Sequence, residues 1–215
     1  MAKAMGLLPA SPGVHRGFIA DRRVTMLLTG MGADAARGAL ERHAASNGKP
    51  PVLAVSAGLC GALQPGMSSA DVVVDAREAE ARWASAALRT SDRVRVPVHM
   101  GAVTSSLAVL GPDEKLALGK SERAAAVDME TAAVRAWASG RGVEFLAVRA
   151  VLDAVGESVP TAAPEGGSLS AVGRFLAGHW TELPLLLLTG WRARRAMDAL
   201  GRFLPEYLAS PGDDE

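Results

Sequence analysis

Two carboxylic acids stand in surroundings that are otherwise apolar. Glu130 lies within the run AAAVDMETAAVRAW, residues 124–137, and Asp153 directly follows the apolar run AVRAVL. A buried carboxylate is strongly disfavoured unless hydrogen-bond donors or a cation accompany it, and Arg149 is a candidate partner. Asp153 follows its apolar run at the carboxyl end of a predicted strand, the position where α/β sites collect functional groups. Both acids are therefore candidates for a functional site.

Structural roles are the alternative for these acids. Asp128 and Glu130 precede a helical pattern, where a carboxylate can cap the helix or interact favourably with its dipole. Asp153 could likewise cap a following helix or turn the loop DAVGES. We interpret Asp128 as a capping residue and retain Glu130 and Asp153 as functional candidates.

The elements that must position these residues follow from the hydrophobic pattern. Apolar runs of strand length alternate with helical patterns, and several runs are apolar throughout, as in strands covered on both faces. This order predicts an α/β layer fold with a mainly parallel sheet, and 215 residues that are 49% hydrophobic suit a single domain, 1–215. The expected strands are 5–8, 24–29, 52–58, 70–74, 95–103 and 144–152. The expected helices are 33–46, 78–89, 113–119, 130–140 and a basic one with a solvated face at 191–202, with a loop at 160–168 and a frayed tail at 211–215.

Two glycine-rich loops follow predicted strands, at the carboxyl ends where α/β sheets bind ligands. They are TGMGADAA at 29–36 and SAGLCGALQPGM at 56–67. In the first, Gly32 leads into a helix whose free N–H groups could hold an anion or a hydroxyl, although a tight strand-to-helix turn explains this loop better when it is taken alone. No Cys-His pair accompanies Cys60, so we interpret it as a small buried thiol that lines the pocket. The candidate residues of the two loops are Gly30, Gly32, Gly58, Cys60 and Gly61.

The composition argues against several classes of function. The 23 basic residues balance 23 acidic ones and aromatic residues make up 4% of the chain, so no nucleic-acid partner is expected. The lone Cys60 cannot form an internal disulfide, which fits a reducing compartment. The four histidines lack metal-ligand spacing, and we predict no metal. The start of the chain shows no secretory pattern and the apolar stretch 183–191 is too short to span a membrane, so we expect a cytoplasmic protein with a small-molecule partner.

Four motifs, in consistent order between residues 24 and 158, resemble the nucleoside phosphorylase and nucleosidase superfamily. TGMGADAA resembles its first glycine loop and AGLCGALQPGMSSADVVV its Gly-x-x-Gly loop with an Asp-led strand. AVDMETAAV is similar to its Met-Glu signature, and FLAVRAVLD resembles its Arg-x-x-x-Asp strand end. The superfamily includes purine nucleoside phosphorylase, methylthioadenosine/adenosylhomocysteine nucleosidase and futalosine hydrolase. The resemblance implies a three-layer α/β/α sandwich around a central mixed, mainly parallel sheet, in a homo-oligomer.

The resemblance also implies a role for each candidate residue. Glu130 would accept hydrogen bonds from the ribose hydroxyls of a nucleoside, and Met129 would pack against the sugar. Asp153 would be the general acid that protonates a purine ring nitrogen as the glycosidic bond breaks. Arg149 and the glycine loops would complete the substrate-binding site. No cofactor is implied, and inorganic phosphate would be a co-substrate only in a phosphorylase.

The groups that supply the attacking nucleophile depart from the family pattern. Phosphorylases of the family carry a GDPxR turn and an Arg-x-Gly-Ser/Thr loop, where this chain has GLLPASPG and SAGL. Hydrolases carry a glutamate shortly after the first strand, whereas here no acidic residue precedes Asp21. Water and phosphate therefore both stay open as nucleophile. Four basic residues could bind it, although surface charge explains each of them better: His15, Arg16, Arg22 and Arg23.

The C-terminal third resembles one branch of the superfamily. The sequence from DAVGESVP to GWRARRAMDAL is similar to the hopanoid-associated branch, whose members are thought to remove adenine from adenosylhopane. The implied nucleoside is lipid-linked, and LPLLLL with the basic helix would then make peripheral contact with the inner membrane, unless these residues pack in the core. Two other functions stay open. One is a soluble nucleosidase for methylthioadenosine, adenosylhomocysteine or futalosine, and the other is a catalytically weakened nucleoside-binding protein.

Overall fold

The computed structural model describes residues 1–47, 49–159 and 183–210. The predicted loop at 160–168 and the predicted tail at 211–215 lie outside these residues. In chain order the described elements are β1 (Leu8–Ser11), β2 (Val14–Ile19), β3 (Arg22–Leu27), α1 (Ala33–Asn47), β4 (Leu53–Ala62), β5 (Val72–Asp75), α2 (Ala81–Val94), β6 (Val98–Met100), β7 (Ala102–Ser105), α3 (Pro112–Glu122), β8 (Ala124–Asp128), α4 (Thr131–Ser139), β9 (Glu144–Asp153) and α5 (Leu183–Ala209).

A mixed six-stranded sheet lies at the centre of the described structure. Its strand order is β6-β5-β9-β4-β8-β7. The pairs β4/β9, β5/β6 and β7/β8 are parallel, whereas β4/β8 and β5/β9 are antiparallel. β4 and β9 run side by side from Leu53 opposite Glu144 to Gly61 opposite Asp153. The predicted α/β fold with a mixed, mainly parallel sheet is confirmed.

Helices cover both faces of this sheet, which explains why its central strands are mostly apolar. Successive side chains of a strand point to opposite faces. Leu146 of β9 packs in one buried cluster with residues of α2 and α5, among them Phe203. Phe145, its neighbour in β9, packs in a second cluster with Ala36 of α1 and Trp137 of α4. The sheet is therefore the middle layer of the predicted α/β/α sandwich.

Three strand predictions need correction. Residues 5–7 form a turn and coil, whose apolar side chains are buried in the core, and β1 begins only after them. The strand predicted at 24–29 is β3, which belongs to a separate antiparallel sheet of order β1-β2-β3. The run 95–103 divides into β6 and β7 at Gly101, where a Cβ would lie 2.6 Å from the Cβ of Ala125. A side chain at this glycine would collide with the adjoining strand.

β4 has one edge without a strand partner along most of its length. From Leu53 to Cys60, β9 is the strand that pairs with it in the described part of the chain, and β8 joins only at Gly61 and Ala62. The same residues of β4 line a cavity of about 1980 Å³, whose lining also includes residues 22–27 of the small sheet. The open side of the strand thus faces the cavity.

The basic helix predicted at 191–202 lies within α5. Its Ala196 and Leu200 are buried in the core, whereas Arg194 and Arg195 are exposed, as expected for a solvated basic face. In the ranges that the structure describes, no helix is long and apolar enough to cross a membrane.

Candidate active site

Residues from all four predicted motifs line the cavity beside β4. Gly32 is not part of its lining, although the backbone of this residue binds Glu130, as described below. The predicted site residues that line the cavity are Gly30, Gly58, Cys60, Gly61, Met129, Glu130, Arg149 and Asp153. Residues far apart in the sequence therefore share one site.

Glu130 is held at the start of α4 by the first glycine loop. The backbone N–H of Gly32 donates a hydrogen bond of 2.7 Å to Glu130 Oε1. Gly30 and Gly32 have φ angles of 82° and 91°, so this loop conformation favours glycine at both positions. The Glu130 side chain is 18% exposed, and Met129 beside it is half-buried. A partly exposed carboxylate with one oxygen tied to the loop retains acceptor capacity for a hydroxyl.

Arg149 is buried, and Asp128 is its main ionic partner. Arg149 Nη2 lies 2.6 Å from Asp128 Oδ2, with 4% and 1% of the two side chains exposed. The guanidinium also donates hydrogen bonds to the hydroxyls of Ser56 and Thr131. Gly58 of β4 leaves the space that it needs, because a Cβ there would stand 2.6 Å from Arg149 Nη1. Arg149 therefore ties β4, β8 and α4 together beside the cavity.

Asp128 caps α4, as interpreted from the sequence, and also neutralises Arg149. Its carboxylate accepts the backbone N–H of Thr131 at 3.0 Å and the hydroxyl of Ser105 at 2.7 Å. Arg149 also forms an ion pair with Glu130, as expected, with 3.6 Å between Nη1 and Oε2, although Asp128 is the nearer partner. With the buried guanidinium matched by Asp128, the carboxylate of Glu130 stays available to a ligand.

Asp153 ends β9 at the carboxyl edge of the sheet. Its side chain is 4% exposed. Burial raises the pKa of this carboxyl and outweighs the opposing effect of the Lys115 ammonium, so the pKa lies above its usual range. Gly61 lies opposite in β4, where a Cβ would be 3.5 Å from both carboxylate oxygens. A carboxyl that keeps its proton to higher pH is suited to protonating a leaving group.

Lys115 is the site residue that sequence reasoning missed. It lies on α3 with its side chain 2% exposed, and its ammonium contacts the Asp153 carboxylate. It also donates hydrogen bonds to the backbone oxygens of Ala154 at 3.2 Å and Glu157 at 2.7 Å. The segment DEKLALGK contains a second lysine, Lys120, which is exposed, and nothing in the local pattern distinguishes the two.

The remaining candidate residues do not show which group activates or binds the attacking nucleophile. Cys60 is 4% exposed, and burial raises the pKa of its thiol above the usual range, so no thiolate forms near neutral pH. Arg22 donates to the backbone oxygen of Leu208 at 3.1 Å and lies over the ring of Trp83. His15, Arg16 and Arg23 line the cavity with Arg22. Among the residues that the structure describes, no group of three His, Cys, Asp or Glu side chains could hold a metal ion.

Comparisons with known proteins agree with this fold. Residues 75–175 match the Phosphorylase superfamily, and no curated protein matches the chain. A 5'-methylthioadenosine/S-adenosylhomocysteine nucleosidase from Neisseria meningitidis superposes with a TM-score of 0.67 at 16% identity, covering 98% of this chain and 96% of that one. Futalosine hydrolase of Helicobacter pylori superposes with a TM-score of 0.59 at 14% identity, covering 90% of this chain and 86% of that one. The match and the shared fold confirm the resemblance to the nucleoside phosphorylase and nucleosidase superfamily.

Proposed function

We propose that this protein cleaves the N-glycosidic bond of an adenine nucleoside and releases adenine. The observation that carries the proposal is Asp153, a buried carboxyl with a raised pKa at the end of β9, in the same cavity as Glu130. Acids with perturbed pKa values in a cleft are typical of catalytic sites. The superfamily match and the fold shared with nucleosidases support the same reaction.

In the proposed reaction, Asp153 protonates the base as it leaves. The bond between the sugar and the base breaks with its electron pair going to the purine. A purine ring nitrogen gains the Asp153 proton, so that adenine departs neutral and Asp153 becomes a carboxylate. Glu130 accepts hydrogen bonds from the ribose hydroxyls and fixes the sugar, and water or phosphate supplies the oxygen that bonds to the sugar carbon. If water attacks, it releases one proton to solvent, and Asp153 takes up one proton from solvent before the next turnover.

Adenine release, measured by chromatography, tests this proposal. Asp153→Asn should lower kcat/KM by roughly 10²- to 10⁴-fold, because it removes the proton donor. Glu130→Gln should lower kcat/KM by about 10-fold or more, because it weakens hydrogen bonds to the sugar. Asp113→Asn, an exposed acid on α3, is the matched control and should keep wild-type activity. Full activity in Asp153→Asn would contradict the proposed acid.

For the substrate itself we propose adenosylhopane. The resemblance of the C-terminal third to the hopanoid-associated branch favours it. So does the cavity of about 1980 Å³, which is larger than the roughly 300–1000 Å³ of ordinary ligand pockets and leaves room for a bulky 5'-substituent. The proposed partner is therefore a lipid-linked nucleoside, with the enzyme in peripheral contact with the membrane.

A soluble nucleosidase is the second candidate, because the similar structures include enzymes named for methylthioadenosine, adenosylhomocysteine and futalosine. Adenosylhopane in mixed micelles should be assayed beside methylthioadenosine in buffer, each with and without phosphate. A kcat/KM at least about 10-fold higher for adenosylhopane supports the lipid substrate, and the reverse order supports the soluble nucleosidase. Release that requires phosphate would define a phosphorylase, whereas release without it would define a hydrolase. Binding of both nucleosides without turnover in the wild type and in Asp153→Asn would indicate a nucleoside-binding protein.

A further inference from the structure

We propose that Lys115 is a positioning residue that orients the carboxyl group of Asp153 and controls when it is protonated. This inference rests on the proposed function, since it concerns the acid of that reaction. Lys115 contacts the carboxyl group of Asp153, so we infer that it acts through the acid.

The contacts of the ammonium fix the position of the carboxyl group. An ammonium has three N–H donors, and Lys115 Nζ has three acceptors: Asp153 Oδ2 and the backbone oxygens of Ala154 and Glu157. Asp153 and the segment that follows β9 are therefore held by one cation. In the described part of the chain no side chain or backbone group donates to Asp153 Oδ1. Oδ1 is the oxygen left to carry a proton toward a ligand.

The burial of Lys115 follows from the close packing of α3. Gly119 lies one helical turn after Lys115 and so faces the same side of the helix. A Cβ at Gly119 would stand 2.6 Å from the backbone oxygen of Leu63, next to the end of β4. Only glycine allows α3 to lie this close to Leu63. The close packing places the Lys115 side chain in the interior beside Gly61. A Cβ at Gly61 would lie 3.4 Å from Lys115 Cε.

The other charges that face Asp153 offset each other. Glu157, after β9, raises the pKa of Asp153, and Arg192, on α5, lowers it. These two side chains form an ion pair of 2.6 Å. Cys60, on β4, is a neutral thiol. Lys115 on α3 is therefore the charge whose effect on Asp153 has no counterpart among the described groups.

The pH profile of kcat/KM separates this role from a merely structural one. Activity falls on the alkaline side as Asp153 loses its proton. Replacing Lys115 by Met removes the cation that favours the carboxylate, so burial acts unopposed and the alkaline limb should move up by about one pH unit or more. Lys115→Gln, which keeps donors for the backbone oxygens, should give the same shift. Lys120→Met, on the exposed side of α3, should give none. An unmoved limb in a folded Lys115 variant overturns the proposal.

A titration without substrate keeps this test separate from the proposed function. The Asp153 side-chain carboxyl is labelled with ¹³C, assigned with Asp153→Asn, and titrated in wild type, Lys115→Met and Lys115→Gln. The midpoint should rise in both variants even if no nucleoside is cleaved. In the wild type alone, the ¹⁵N signal of the Lys115 ammonium should change with the midpoint of Asp153, because the ammonium contacts the carboxyl group whose charge changes. A Lys115 signal that ignores the titration of Asp153 would refute the coupling, whether or not the variants fold.

Discussion

At the residue scale, each buried cation beside the cavity has its own carboxylate. Arg149 is matched by Asp128, and Lys115 by Asp153. A buried charge without a partner would be strongly unfavourable, so Arg149, which is paired with Asp128, does not need a ligand for stability. Glu130, 3.6 Å from Arg149 and partly exposed, can exchange contacts with a ligand at lower cost. Arg149 and Asp128 thus hold the site together, whereas Glu130 is the residue proposed to bind the sugar.

The stability of this arrangement should be sensitive to substitution of Gly58, which lies next to Arg149. In Gly58→Ala the new Cβ would stand 2.6 Å from Arg149 Nη1, so the buried guanidinium must shift from its present position. We expect the free energy of unfolding to fall by about 1–3 kcal/mol, as in other overpacked interiors. Urea denaturation measures this difference. Gly156→Ala, where a Cβ would meet no atom within 4 Å, should change stability little. Equal stabilities for the two variants would show that the Arg149 side chain can move without loss of stability.

Asp75 should make stability depend on pH. Its side chain is 2% exposed. Burial raises the pKa of this carboxyl, but the hydrogen bonds from Arg77 and from the Val103 N–H outweigh burial and hold the pKa below 3.8. The carboxylate therefore stabilises the fold above its ordinary pKa of 3.8, and this contribution is lost as the pH falls through the lower folded-state pKa. Asp75→Asn should cost about 2 kcal/mol at neutral pH, and the difference from wild type should shrink in acid.

Denaturation of wild type and Asp75→Asn at about pH 7 and about pH 3 checks this linkage. Asp34→Asn is the matched control, because the Asp34 side chain is 95% exposed although it also pairs with an arginine. A difference between wild type and Asp75→Asn that is the same at both pH values would contradict a depressed pKa.

The predictability of the site differed from residue to residue. Glu130 and Asp153 were identified because a carboxylate in an apolar run, or just after one, can be recognised in the amino-acid sequence. The burial of Lys115 depends on the contact of Gly119 with Leu63, which are 56 residues apart in the sequence. Such a contact leaves no local pattern, so the lysine was indistinguishable from a surface residue.

At the element scale, the strands that are buried on both faces were predicted best. β5 and β9 are mostly apolar because helices cover them on both sides, although β9 also contains Arg149. β8 was missed because its sequence AAAVD is rich in alanine, which has little strand preference. β3 was predicted as a strand, but which sheet it joins is decided by its pairing with β2. Local pattern thus identifies a strand more readily than its partner.

Two glycines in helices allow the effect of helix propensity on stability to be compared with the effect of close packing. Gly190 is an exposed residue of α5 where an added Cβ would meet no atom within 4 Å, so Gly190→Ala should stabilise the protein by about 0.5–1 kcal/mol. Gly119→Ala brings the same gain in helix propensity, but its Cβ would stand 2.6 Å from the backbone oxygen of Leu63. It should destabilise the protein by about 1–3 kcal/mol. Thermal unfolding compares the two, and stabilisation by both would show that α3 can shift without cost.

At the scale of the whole molecule, the two sheets differ in how well they are buried. All four residues of β1 are exposed, and β2 and β3 contribute few buried residues, whereas all four residues of β5 are buried. Segments with few buried apolar contacts open at lower free energy than core strands. The small sheet is therefore expected to open before the central sheet.

Amide hydrogen exchange followed by mass spectrometry tests this order of opening. Amides of β1–β3 should exchange at least about 100-fold faster than those of β5 and β9. β5 serves as the internal reference because it is covered on both faces. Equal protection of the two sheets would mean that they open as one cooperative unit.

The unpaired side of β4 bears on whether folded molecules can join through their sheets. Exposed strand edges let folded molecules join through shared sheets, and many proteins block them with charges, prolines or bulges. From Leu53 to Cys60 the open edge of β4 borders a partly enclosed cavity. A neighbouring molecule would have to insert an extended segment into that cavity before it could pair there. Enclosure can thus protect a hydrophobic strand from aggregation without placing a charge beside the site.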